Sequence, residues 1–202
     1  MGDESVNIQK WVSLFLKTLV LGIVIYFIVG CLAQWRDLSH YLSTGDPKGI
    51  AFTLINFIIF GGLFSVLSQM GFFAYLTLHR IALGVFRTYW PMIQWVLILL
   101  TFFDLIYFRY ISSKTPSSLL SYFLLPVVLA VISYYVAWRK QRETNRTAFV
   151  PTLFFMFVIT SLEWLVGLLH NEDFRLIWEI GLTLIGCNAY QVLKLHRLIR
   201  KD

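Results

Sequence analysis

The sequence predicts an all-α polytopic membrane protein with six transmembrane helices and both termini in the cytoplasm. Three observations predict it. The first is composition. Of the 202 residues, 58% are hydrophobic and only 14% are charged, and the mean hydropathy is +0.71, whereas a soluble domain of this length carries about 25% charged residues. So little polar surface cannot cover a water-exposed globule, and most of the surrounding solvent must be lipid. The second observation is spacing. Apolar runs, each long enough to cross a hydrocarbon core of about 30 Å, alternate with short polar segments. The third is where lysine and arginine fall between those runs.

The first span is expected at 11–33, behind a polar start. Lys17 lies one to two turns inside it and can extend its amine toward the headgroups. Residues 34–48 read as a polar loop, with Asp46 and Pro47 as a turn signal. The second span is expected at 50–78. Its apolar run covers roughly 30 residues, or about 45 Å if helical, which exceeds the hydrocarbon thickness. Such a helix must tilt, break or continue past the membrane, and Gly61, Gly62 and Gly71 are the places to bend or to pack closely. An amphipathic connector is expected at 81–89.

The third span is expected at 90–108, with Pro91 in its first turn, followed by a loop at 109–118. The fourth is expected at 119–138, where Pro126 should kink it. The segment 139–146 is the most basic in the chain. The fifth span is expected at 148–169, with Pro151 in its first turn. A tight acidic turn at 170–173 leads into the sixth, at 174–193, and the sequence ends basic. No internal repeat appears, and no polar segment is long enough to bury a core of its own. The whole of 1–202 therefore reads as one transmembrane domain.

Orientation follows from the cations. With both termini on one side, that side collects Lys10, Lys17, Arg80, Arg87, Arg139, Lys140, Arg142, Arg146, Lys194, Arg197, Arg200 and Lys201. The other side holds Arg36, Lys48, Arg109, Lys114 and Arg175. The richer side belongs in the cytoplasm of a bacterial cell membrane. The net charge of +6 is spread over these short segments rather than gathered into a basic domain. It reads as an orientation signal with some attraction to anionic lipid, not as a nucleic-acid surface.

Cys31 and Cys187 both lie in apolar runs and read as packing residues. Ile28-Val29-Gly30-Cys31 has a lipobox-like pattern. The run at 11–33 is long enough to span as a helix, however, and a signal core is shorter, so modification of Cys31 is the lesser reading.

Three carboxylates fall within the spans. Asp104, Glu163 and Glu179 each lie about 8–11 Å below the outer end of their helix, at 1.5 Å per residue. One reading is an outward-facing polar cavity, with Arg109 or Arg175 as partner, that binds a small cationic or polar ligand or relays protons. The other is three separate carboxylates, each satisfied by neighbours such as Tyr107, Trp164 or Trp178. Equal depth follows from spacing and convergence does not, so the second reading is favoured.

The intramembrane amides are Asn56, Gln69, Asn188 and Gln191. Asn188 and Gln191 share a helix face. Gly61, Ser65 and Ser68 form a small-residue face of the kind that admits another helix. Hydrogen bonding between the chain's own helices is the favoured reading of these groups. Contact with a partner's transmembrane helix is the alternative for Gly61, Ser65, Ser68, Gln69, Asn188 and Gln191. The aromatic cluster Phe72, Phe73 and Tyr75 leads into His79, Arg80 and Arg87, which mark the cytoplasmic exit of the second span. The four histidines fall on different segments. No HExxH, GxSxG, P-loop or GxGxxG pattern occurs, so no catalytic residue, metal site or cofactor is expected.

Several stretches carry a family likeness: Gln69-Met-Gly-Phe-Phe-Ala-Tyr-Leu-Thr-Leu-His79-Arg80 with Gly84-Val-Phe-Arg87, Phe103-Asp104-Leu-Ile-Tyr-Phe-Arg-Tyr110, Leu162-Glu163-Trp164, and Cys187-Asn-Ala-Tyr-Gln191 leading to Leu195-His-Arg197. They resemble the KinB-signalling pathway activation protein family, the KbaA-type proteins of spore-forming Gram-positive bacteria. The likeness covers most of the chain. It implies a small polytopic membrane protein that activates a membrane-bound sensor histidine kinase feeding the sporulation phosphorelay. It implies no enzymatic activity and no cofactor. A six-helix transporter or ligand sensor built on the acidic cavity is the alternative.

Overall fold

A computed structural model describes residues 2–112, 119–170 and 174–199. The described residues are helical almost throughout. Helix α1 runs Gly2–Ala33, α2 Trp35–Thr44, α3 Pro47–Phe86, α4 Trp90–Ser112 and α5 Leu119–Glu143. Then follow α6, Phe149–Phe154, a π-helical segment, Phe155–Ile159, and α7, Thr160–His170, without interruption. Helix α8 runs Phe174–Ile199. The predicted all-α class is therefore observed. By length and composition, Ile8–Ala33, Pro47–Phe108, Tyr122–Glu143, Arg146–Leu165 and Arg175–His196 are apolar enough to cross a membrane.

Two expectations need correction. The segment read as a polar loop at 34–48 holds a ten-residue helix, α2. Gly45 ends it in the left-handed conformation, φ 65°, with its N–H bonded to the Tyr41 carbonyl, a backbone state in which glycine carries no Cβ penalty. Asp46 then caps α3: its Oδ1 accepts from the Lys48 amide at 3.1 Å, with Pro47 at the first helical position. The second correction concerns the connector expected at 81–89, which is largely the last turns of α3; of the alternatives for the long apolar run, α3 continues unbroken through Gly61, Gly62 and Gly71. The helix has 40 residues, about 60 Å at 1.5 Å per residue.

The chain turns at Arg87–Tyr89, a 3-10 turn. Arg87 has φ 45°, the one positive φ at a non-glycine residue among those described, a state that costs a side chain about 1–2 kcal/mol. After it, Trp90 Nε1 donates to His79 Nδ1 at 2.9 Å. In a continuous helix residues 79 and 90 would stand about 16 Å apart. The long apolar segment Pro47–Phe108 is thus two helices, with the start of α4 folded back beside the end of α3.

The structure divides into two compact units, 1–70 with 171–202, and 71–170. In the first, α1 packs along α8 and against the first half of α3, with small residues at the close approaches. A Cβ on Gly61 would meet the Ile23 backbone, and one on Gly22 would meet Ser65 and Cys187. Tyr26, Phe57, Leu184 and Cys187 are buried there. The second unit has an aromatic core. Phe72 and Tyr75 pack on Phe155 with ring centroids 5.5 and 5.1 Å apart, Trp90 packs on Phe154 at 5.9 Å, and Phe102 stacks on Phe157 at 6.3 Å.

Candidate functional site

The polar groups of the first unit form two seams. On α3 the inward positions Phe57, Gly61, Ser65 and Ser68 recur at helical spacing. Ser68 donates to Asn188 Oδ1 at 2.7 Å, and Gln191 Nε2 donates to Ser68 Oγ at 2.7 Å. Ser65 donates to the Thr18 carbonyl at 2.8 Å. Gln69 makes a long contact with Ser65, 3.4 Å. All of Ser65, Ser68, Gln69, Asn188 and Gln191 are at most 2% exposed. The seam links α1, α3 and α8 through Ser65, Ser68, Asn188 and Gln191, whereas the Gln69 contact stays within α3. It exists because α8 carries its two amides three residues apart on the face that meets the serines of α3. Asn56 bonds locally, to the Phe52 carbonyl at 2.8 Å.

The second seam centres on Glu179, which is 1% exposed. Its carboxylate accepts from Tyr26 Oη at 3.1 Å and from Gln34 Nε2 at 3.0 and 3.2 Å. Gln34 is the non-helical residue between α1 and α2, so the carboxylate ties α8 to that corner. A carboxylate removed from water needs such donors. Arg175 instead lies 3.7 Å from Asp37 on α2, with both side chains more than half exposed.

In the second unit, Glu163 of α7 is buried and its Oε1 rests where a Cβ on Gly71 would stand. Trp164 beside it is 1% exposed. The π-helical segment one turn earlier widens the helix and re-aims the side chains that follow. Such segments are frequent at functional positions, and nothing in Phe-Phe-Met-Phe-Val-Ile announces one. Nearer the other end, Tyr75 Oη donates to the Pro151 carbonyl at 2.8 Å, and His79 takes the Trp90 bond already described. Gln94 is fully buried, and neither end of its amide has a well-formed hydrogen bond.

The three carboxylates expected within the spans thus meet different fates. Glu163 and Glu179 are buried, whereas Asp104 is exposed on α4. The Arg109 side chain lies outside the described residues. Arg80 and Arg87 are exposed at the end of α3, and His79 is half-buried. Among the described residues no three His, Cys, Asp or Glu side chains are grouped to hold a metal ion. Neither Cys31, in the last turn of α1, nor Cys187 forms a disulfide among the described residues.

A family model described as KinB-signalling pathway activation in sporulation, KbaA, matches residues 22–198. The chain belongs to this family. A relative from Bacillus subtilis (strain 168), a KinB-signaling pathway activation protein, is 37% identical over 194 residues, covering 94% of this chain and 97% of the relative. The match at 22–198 takes in every stretch that carries the likeness in the sequence. No solved structure matches the chain. The family's description is of a signalling activator.

Proposed function

We propose that this chain is an integral membrane protein that activates the KinB signalling pathway of sporulation, acting on a membrane-bound sensor histidine kinase. The relative's identity across nearly the full length of both chains carries this reading. The proposed arrangement is six membrane-spanning helices: α1, α3, α4, α5, the α6–α7 helix and α8. Both termini lie in the cytoplasm, with the cation-rich segments inside. The turn at Arg87–Tyr89 supports counting α3 and α4 separately, because the 2.9 Å bond from Trp90 to His79 requires the chain to fold back. Under this topology α2 lies at the outer surface, where exposed Trp35 and Leu42 suit the membrane interface.

A transporter or sensor built on an acidic cavity draws no support from the carboxylates. Glu179 accepts from two donors of its own unit, and Asp104 is exposed.

The experiment is complementation. In Bacillus subtilis lacking its own relative of this chain, expression of the chain should restore KinB-dependent sporulation. Full membrane expression without any restoration would contradict the reading.

A further inference from the structure

Helix α4 has two unlike faces. Trp90, Gln94 and Leu105 are buried, and Phe102 stacks on Phe157. On the opposite side Val96, Leu100, Phe103, Tyr107 and Ile111 are 49–65% exposed and lie at helical spacing. Asp104 lies midway along the length of that apolar stripe and at its edge, beside Ile111 and Leu100, and is itself exposed. It takes part in no hydrogen bond or ion pair with the described residues, whereas Glu163 and Glu179 are turned inward. At 1.5 Å per residue Asp104 lies about 21 Å along α4 from Trp90 and about 12 Å short of Ser112. With its single methylene it cannot extend to the headgroups as lysine or arginine does. A carboxylate on a lipid-facing helix surface is costly, and the cost is relieved by pairing with a cation.

We infer that this stripe of α4 docks a transmembrane helix of another membrane protein, one that carries a lysine or arginine in its outer-leaflet half to meet Asp104. The inference rests on the proposed kinase reading for the identity of that protein. Charge complementarity decides the occupant. Lipid tails offer Asp104 nothing, and an apolar helix would bury the carboxylate unpaired. A second copy of this chain fits poorly. Among the side chains described within its spans, the exposed cation is Lys17, which lies toward the cytoplasmic end of α1 in the proposed topology, at the wrong depth for a parallel copy.

The test is photo-crosslinking in living cells of a spore-former, with benzoyl-phenylalanine replacing Leu100 or Tyr107 in the full chain and the captured peptide sequenced. Expected is a crosslink to a membrane-spanning peptide that contains Lys or Arg. Asp104→Asn should lower its yield by roughly 30-fold, the loss typical of removing one member of a desolvated charge pair. Asp104→Lys paired with the partner's cation changed to Asp should restore it. Crosslinks to lipid alone, to a second copy, or to a helix without a cation would overturn the inference, as would an unchanged yield with Asp104→Asn. A cationic helix captured in this way from a protein other than the kinase would uphold the docking face and remove the kinase from the proposed function.

Discussion

The carboxylate of Glu163 occupies the space that Gly71 leaves open on α3. A Cβ on residue 71 would collide with Glu163 Oε1 and approach Ile159 Cγ2 to 3.3 Å. Two residues 92 positions apart in the sequence are therefore fitted to each other, on the helix that carries the signature stretch and on the helix that carries Leu162-Glu163-Trp164.

Gly71→Ala decides between two opposed effects. In an exposed helix the change would stabilise by about 1 kcal/mol. Here the added methyl must displace a buried carboxylate, and overpacking costs about 1–3 kcal/mol. The expected result is net destabilisation, read as a lower unfolding midpoint in detergent. The double variant Gly71→Ala with Glu163→Ala should recover part of the loss. A Gly71→Ala protein more stable than wild type would show that the carboxylate does not sit there.

Two buried amides should respond with opposite signs. Asn188 accepts from Ser68 across helices, and such bonds in membranes contribute about 0.6 kcal/mol on average and up to about 1.7 kcal/mol. Asn188→Leu should therefore destabilise, and a double-mutant cycle with Ser68→Ala should show coupling of that order. Gln94 has no well-formed partner. Gln94→Leu should be neutral or stabilising, since a buried amide whose contact with the Tyr75 hydroxyl is poorly aligned retains most of its desolvation cost. Equal losses at both positions would contradict the assignment.

The Glu179 seam should hold the α1–α2 corner. Glu179→Ala leaves the Tyr26 hydroxyl and the Gln34 amide without their acceptor, at about 1–3 kcal/mol for buried groups. Faster hydrogen exchange is expected across α2, with α5 unchanged. Glu179→Gln keeps an oxygen acceptor and should cost less. Unaltered exchange in α2 after Glu179→Ala would separate the carboxylate from the corner.

Topology is open to labelling. With Cys31 and Cys187 replaced by serine or alanine, Ser43→Cys in α2 should react with a membrane-impermeant maleimide in intact cells. Thr144→Cys, beyond the end of α5, should react only after permeabilisation. The reverse pattern would invert the orientation.

The helices were legible because crossing a bilayer demands a long apolar run, and such runs are local properties of sequence. That Asn188 and Gln191 share one face of α8, and Ser65 and Ser68 one face of α3, was legible for a related reason, helical spacing; that the two faces meet was not. Helix α2 was missed because its polar content resembles a loop. Trp35, Leu38 and Leu42 at helical spacing, with Gly45 placed to end the helix, were the available signal. That omission also hid Gln34 as a partner of Glu179, for which the sequence offers Arg109, Arg175 and neighbouring aromatics. The seating of Glu163 against Gly71 was not legible, since it depends on how helices distant in sequence pack. Nor was the direction of Asp104: residue counting yields depth along a helix, and which way a side chain faces depends on what the helix packs against.

The central claim is that this chain raises the activity of a membrane sensor kinase by acting with it in the bilayer. The most direct measurement is kinase autophosphorylation in proteoliposomes containing the KinB kinase, with and without the purified chain. The account predicts a higher initial rate when the chain is present and loss of that increase with Asp104→Asn. An autophosphorylation rate unchanged by correctly inserted wild-type chain would contradict it.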